Sequence, residues 1–312
     1  MRLHVLLGPG GVGKTTLAAG YALALAAHGG RVGLLGIDPS RRLQDVLGTP
    51  LGDDERPIAP NLQAAIVHPH QAIARWCPDV RLATNPFFVA LGDRLATATD
   101  VLAAARVAEW IEHDPELTDL VVDTAPGIPA LDFVRSPKRL AGMVHGRIVR
   151  WLRAAALGRA HFVGRRVVSA LAGLGGARMV LDLADFFAAV QAPLETMLAR
   201  VARTQHLLRD GELVLVTSPR DTQAAGALQI RRALAREGLV ASTLVINRTW
   251  PDARTAEGDT PFAHYVRALI SAQHEVFTIT REWSIPTVVV PSQPIGRRAA
   301  LLSLGESLRR AA

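Results

Sequence analysis

One segment near the start limits the fold more than any other. Gly8-Pro9-Gly10-Gly11-Val12-Gly13-Lys14-Thr15-Thr16 follows an apolar burst, Leu3 to Leu7, and precedes a stretch of helical period, Thr16 to His28. This is G-x-x-x-x-G-K-T in the strand-loop-helix setting that gives the pattern its meaning. The glycines let backbone amides crowd around phosphate oxygens, and Lys14 reaches the β- and γ-phosphates. The Thr15 hydroxyl can ligate magnesium, and the following helix offers its positive end. The phosphate-cradling set is therefore Gly8, Gly10, Gly11, Val12, Gly13, Lys14, Thr15 and Thr16. A dinucleotide fold also carries a glycine loop after its first strand. Lys14-Thr15 directly behind the last glycine suits a triphosphate with magnesium better than a pyrophosphate alone.

Further apolar bursts recur at Arg31 to Ile37, Leu62 to Val67, Leu120 to Asp123, Leu213 to Thr217, Thr243 to Asn247 and Thr287 to Val290. Their near-continuous apolar character predicts parallel strands with helices on both faces. Helical period between them marks Phe88 to His113, Thr222 to Glu237 and Arg297 to Arg310. The expected architecture is α/β, a doubly wound, mostly parallel sheet in one domain over 1–312. Within it, 138–210 has no convincing strand but apolar residues at helical spacing, among them Met143, Trp151, Phe162, Leu171, Phe186 and Met197. An inserted helical subdomain is predicted there. Arg147, Arg150, Arg153, Arg159, Arg165 and Arg166 give it a basic, amphipathic character.

Composition removes several classes. An apolar content of 49% and 312 residues support a large core, and 26 Gly with 19 Pro are ordinary for a globular chain. The single Cys77 excludes an intrachain disulfide and an all-cysteine metal site, so a reducing compartment, the cytoplasm, is expected. Met1-Arg2-Leu3-His4 runs into the first apolar burst with no small-residue cleavage site behind a free apolar stretch, so export is not expected. Its longest apolar runs, Leu17 to Ala27 and Val167 to Ala177, are shorter than the roughly 20 residues a membrane helix needs. The net charge of +7 suits either plain solubility or a polyanionic partner; nucleic acid or anionic membrane contact is not the favoured reading.

Two aspartates stand where ligands of open α/β sheets collect, at the C-terminal ends of strands. Asp123 closes Leu120-Val121-Val122 and can hold magnesium through water; Asp38 follows Leu34-Leu35-Gly36-Ile37 and can orient and deprotonate an attacking water.

With these residues in place, the chain resembles the ArsA/Get3 family of ATPases, relatives of MinD, ParA and the nitrogenase iron protein. The family loop reads G-K-G-G-V-G-K-T, its first switch D-P-A-H-N-L-S-D and its second D-T-A-P-T-G-H-T. Here stand Gly8 to Thr15, then Asp38-Pro39-Ser40-Arg41-Arg42-Leu43-Gln44-Asp45, then Asp123-Thr124-Ala125-Pro126-Gly127-Ile128-Pro129-Ala130. The resemblance implies ATP and Mg2+ as cofactors. It makes Asp38 and Lys14 the catalytic residues, with Asp38 positioning the water, and Thr15 and Asp123 the metal-side pair. It also puts Asn247 at the adenine and Pro291 beside the base. It implies a dimer, and a helical subdomain that receives a protein client with an apolar segment.

The departures are specific. Family members carry a lysine at the second loop position that reaches the neighbour's phosphates; here it is Pro9. Arg41 and Arg42 stand where the first switch has His and Asn, and either guanidinium is a candidate for compensating charge. Gly127-Ile128-Pro129 replaces T-G-H. Metalloid transport needs more thiolates than one cysteine provides, and the C-x-x-C pair of Get3 is missing. The reading is a dimeric ATP-hydrolysing switch, as a homodimer or paired with a related chain. The alternatives are a MinD/ParA-like positioning or scaffold protein, or a weakly hydrolysing subunit of a heterodimer.

Overall fold

The computed structural model describes residues 1–38, 40–76, 85, 88–89, 99–127, 186, 189–190, 192–250, 258–294 and 298–310. Elements follow in the order β1 (Arg2–Leu7), α1 (Lys14–Ala27), β2 (Val32–Gly36), α2 (Arg42–Leu47), β3 (Arg56–Ala59), β4 (Leu62–Ile66), α3 (Pro69–Trp76) and α4 (Thr99–His113). After these come β5 (Asp119–Asp123), β6 (Glu212–Thr217), α5 (Asp221–Arg236), β7 (Thr243–Thr249), α6 (Pro261–Arg281), β8 (Thr287–Pro291) and α7 (Arg298–Arg309). Residues 192–210 are also helical.

The eight strands form one sheet in the order β3-β4-β2-β5-β1-β6-β7-β8. All neighbouring pairs are parallel except β3 with β4. The α/β architecture expected from the apolar bursts is the one observed. The chain leaves β1 toward β2 on one side, while β5 is followed by β6 on the other. This reversal opens a crevice at the C-terminal ends of the central strands, where open α/β sheets bind ligands.

Helix α1 packs on β2 and β5, and both strands are buried throughout. Helix α1, almost wholly apolar after Lys14-Thr15-Thr16, is buried nearly all round its axis, as a central helix must be. It crosses α7 with Gly20 against Gly305. A Cβ on either residue would collide with backbone, Leu301 O for Gly20 and Gly20 O for Gly305. Only glycine allows that approach.

Under the opposite ends of the strands lies a buried polar cluster. His4 Nε2 bonds Asp119 Oδ1 at 2.9 Å and His4 Nδ1 bonds Glu212 Oε2 at 2.8 Å, joining β1 to both its neighbours. Arg2 Nε donates to the same Asp119 oxygen at 3.1 Å, and the Tyr21 hydroxyl lies 3.4 Å from His4 Nδ1.

The chain divides into two compact units, one of Met1–Val67, Ile111–Val134 and His206–Ala312, the other of His68–Trp110 and Arg135–Gln205. In the second unit the Arg106 guanidinium stands 5.5 Å over the fully buried Trp110 ring. Glu109 accepts from Arg106 at 3.3 Å and from Arg200 at 3.2 Å, and the Thr204 hydroxyl donates to Ala104 O at 2.7 Å. Most of the helical insert expected over 138–210, its six arginines included, lies outside the described residues, as does Cys77. No described helix is long and apolar enough to cross a membrane.

Candidate nucleotide site

The loop between β1 and α1 is shaped by two glycines with different reasons to be glycine. A Cβ on Gly8 would collide with Val216 O of β6. Gly13 caps α1 at φ 89°, a left-handed conformation, and a Cβ there would meet Asn247 Nδ2 at 2.5 Å. Lys14 is folded onto the loop, its ammonium donating to Gly8 O at 2.9 Å and Pro9 O at 3.1 Å. Gly8 O also accepts Gly127 N–H at 3.0 Å, tying the segment after β5 to the phosphate loop. Thr124 fixes the same segment by donating its hydroxyl to Leu6 O at 2.7 Å.

A cleft of about 360 Å³ opens in front of this loop, lined by Lys14, Thr15, Asp38, Arg42, Thr124 and Arg248 among others. Asp38, in the loop after β2, is aimed by two contacts: Ser40 N–H donates to its Oδ1 at 3.0 Å, and Arg42 Nη1 lies 3.9 Å from Oδ2. Arg41 stands at the N-cap of α2. A second cleft of about 270 Å³ shares Gly13, Thr16 and Arg248 with the first and adds Asn247, Pro291, Ser292, Gln293 and Leu304.

Burial sets the electrostatics. It pushes the Asp123 carboxyl up to about 6, against the lowering effects of a hydrogen bond with Thr15 and of the Lys14 charge. It pushes Lys14 down to about 8, against the pull of Asp123. Asp123 Oδ1 is buried with no hydrogen-bond partner among the described residues. An orphaned carboxylate oxygen beside a threonine hydroxyl is a hard oxygen donor set of the kind magnesium takes, with waters completing its shell. These residues fit the metal that the phosphate loop implies.

Asn247 ends the ordered pairing of β7. Its Nδ2 donates to Val12 O at 2.8 Å and its Oδ1 accepts Arg248 N–H at 3.0 Å. Arg248 Nη1 donates to Gly11 O at 2.9 Å. Pro9, at the loop's second position, lies against α5, where a Cβ on Gly226 would stand 3.0 Å from Pro9 Cβ.

The loop, Asp38, Asn247 and Pro291 thus surround two clefts that share a wall, and Asp123 lies buried behind Thr15. Arg248 is a lining residue that sequence reading did not single out, as are Ser292, Gln293 and Leu304. Its signal was its place directly after Asn247, but nothing in the pattern foretold the backbone turn that aims it at the loop.

The anion-transporting ATPase family, ArsA type, matches residues 1–282. The chain belongs to this family. ATP hydrolysis is the activity for which this ArsA-type family is named. An uncharacterized protein of Streptomyces coelicolor is 31% identical over 300 residues, covering 91% of this chain and 69% of that protein. The Get3 ATPase of Schizosaccharomyces pombe is 30% identical over 136 residues, 42% of this chain and 41% of that protein. An arsenical pump-driving ATPase of Escherichia coli is 31% identical over 130 residues, 40% of this chain and 21% of that protein. The alignments with these two ATPases span less than half of either relative's length.

Proposed function

We propose that the chain binds ATP with Mg2+ across the two clefts and hydrolyses it. It acts as a dimeric cytoplasmic switch of the ArsA/Get3 type that handles a protein client through its helical region. The observation that carries this reading is the convergence of Lys14, Thr15, Asp38 and Arg42 on one cleft, with Asp123 buried behind Thr15. The triphosphate lies along the amides of Gly10 to Thr16, and Lys14 exchanges its two loop carbonyls for β- and γ-oxygens. The base enters the second cleft between Asn247 and Pro291.

Thr15 and Asp123 would hold the magnesium, which when bound would supply positive charge to offset that growing on the phosphates. Asp38 holds the attacking water in line and takes its proton, its carboxylate aimed by Ser40 and Arg42. Loss of γ-phosphate then frees the segments carrying Asp38 and Asp123, the order-to-disorder change by which such switches relay hydrolysis.

The test is steady-state phosphate release by the purified chain and by Asp38→Asn, with mass measured with and without a nonhydrolysable ATP analogue. Turnover that needs magnesium and vanishes in Asp38→Asn, together with an ATP-dependent dimer, supports the reading. Turnover that survives in Asp38→Asn removes the role of that residue.

The uncharged Pro9 favours a second reading, a subunit that hydrolyses poorly alone and takes a lysine from a related partner. Nucleotide binding with no turnover until such a partner is added would select it. ATP-dependent co-sedimentation with anionic liposomes or DNA would instead select a MinD/ParA-like positioning role.

A further inference from the structure

Arg248 sits at an irregularity of the sheet. The parallel pairing of β7 with β8 runs Ile246 to Val289 and Asn247 to Val290, then Thr249 to Pro291, so Arg248 is an extra residue bulged out of the ladder. Its φ of 62° is left-handed, a conformation that side chains other than glycine, asparagine and aspartate seldom adopt. Bulges re-aim side chains and gather beside active sites, and a strained non-glycine residue is retained where its surroundings fix it. Here Asn247 fixes it by accepting Arg248 N–H at 3.0 Å, and the guanidinium comes to rest on Gly11 O at 2.9 Å.

That position is the shared wall of both clefts. Of the cations lining the phosphate cleft, Lys14 is bound to loop carbonyls and Arg42 faces Asp38. Arg248 has no carboxylate partner among the described residues, and Pro9 brings no charge to the loop. A guanidinium has five N–H donors in a planar fork that matches phosphate oxygens, and the bond to Gly11 O uses one of them.

We propose that Arg248 binds the polyphosphate of the nucleotide held by its own chain, where the phosphate and base clefts meet. It thereby supplies from within the protomer a charge that the loop's second residue does not. The proposal rests on the nucleotide reading of the site and adds to it a specific phosphate-binding residue.

The experiment is calorimetric titration of ATP and ADP, each with magnesium, into the full chain and into Arg248→Gly, over a series of salt and protein concentrations. Glycine accepts the left-handed backbone, so this variant removes the guanidinium and leaves the bulge; its unfolding curve without nucleotide should overlay that of the wild type. The expected result is an affinity loss of about 10-fold or more for both nucleotides. It comes with a shallower salt dependence, because one fewer charge is neutralised on binding. The loss is the same at every protein concentration. Unchanged affinity overturns the proposal, and so does a loss with unaltered salt dependence, which would make Arg248 a brace for the loop. A loss seen only at concentrations where chains associate would assign the arginine to a neighbour's nucleotide and overturn it too. A wild type that binds neither nucleotide contradicts the nucleotide reading itself.

Discussion

Lys14 donates to the carbonyl oxygen of Gly8, 2.9 Å away, so the loop's own cation is stored on the loop's own backbone. That oxygen also receives Gly127 N–H at 3.0 Å. On the proposed reading, a phosphate that draws the ammonium away would change the hydrogen bonding at the anchor of the segment after β5.

Replacing Lys14 with alanine leaves two carbonyls without that donor and removes the charge that favours ionised Asp123, whose carboxyl burial already pushes toward the neutral form. The fold should persist, with an unchanged far-UV spectrum, while phosphate release falls by about 10²–10³-fold, the usual effect of deleting one transition-state donor.

Asn247 joins β7 to the loop through Val12 O and holds the Arg248 turn through Arg248 N–H. Asn247→Ala strands two backbone groups at a buried position. It is expected to lower stability by about 1–3 kcal/mol in urea titration. It should also weaken ATP and AMP alike, since both depend on the base cleft.

The α1 and α7 crossing leaves no room for a side chain at Gly20 or Gly305. Gly305→Val should destabilise by about 3 kcal/mol, the upper range for overpacking, because the colliding atoms are backbone and cannot rotate away. The midpoint of urea unfolding measures it. Gly29→Ala is not a fair control, for its φ is 89°; Ala300→Val on the same helix is.

The cluster of His4, Asp119 and Glu212 gives stability a defined pH window. Burial opposes the His4 charge most strongly. The bonds to Asp119 and Glu212 outweigh it and raise the His4 pKa above the ordinary 6.5. Its stabilisation is therefore complete below pH 6.5 and lost as pH rises through the raised value. Asp119 is lowered although burial works against it, because His4 and Thr118 bond its charged form; Glu212 is lowered chiefly by His4. Their contribution is present above the ordinary carboxylate range and lost as pH falls through the lowered values. Unfolding free energy should thus fall on the alkaline side, with His4 contributing at most about 1.4 kcal/mol per pH unit. His4→Gln should remove that limb from the difference between variant and wild type. Identical alkaline slopes would refute the charge on His4.

Much of this fold was legible because its central strands are buried on both faces and therefore read as unbroken apolar bursts. The strand β3 was not: Arg56-Pro57-Ile58-Ala59 is a short antiparallel edge strand with little burial and a proline. Helix α2 buries only Leu43, and α6 buries Ala263, Gln273, Val276 and Thr280, too sparse a stripe for periodicity to find. The start of α6 was nonetheless written in the chain, since Thr260 caps it by accepting Ala263 N–H and Pro261 occupies the first turn. Helix α1 begins two residues before its expected start because Gly13 itself is the cap. In the site, the loop and both aspartates follow from motif and strand ends. The cation of Arg248 does not, because a one-residue bulge is a property of pairing between β7 and β8 and leaves no mark in either strand alone.

The central claim is that these clefts hold a nucleoside triphosphate with magnesium on the phosphate loop. Calorimetric titration of ATP into the full chain, with magnesium and with a chelator, tests it most directly, with Thr15→Ala as the matched variant. The account predicts one ATP per chain, binding at least about 10-fold weaker without magnesium or without the Thr15 hydroxyl. Absence of binding, or binding equally tight in all three cases, would contradict it.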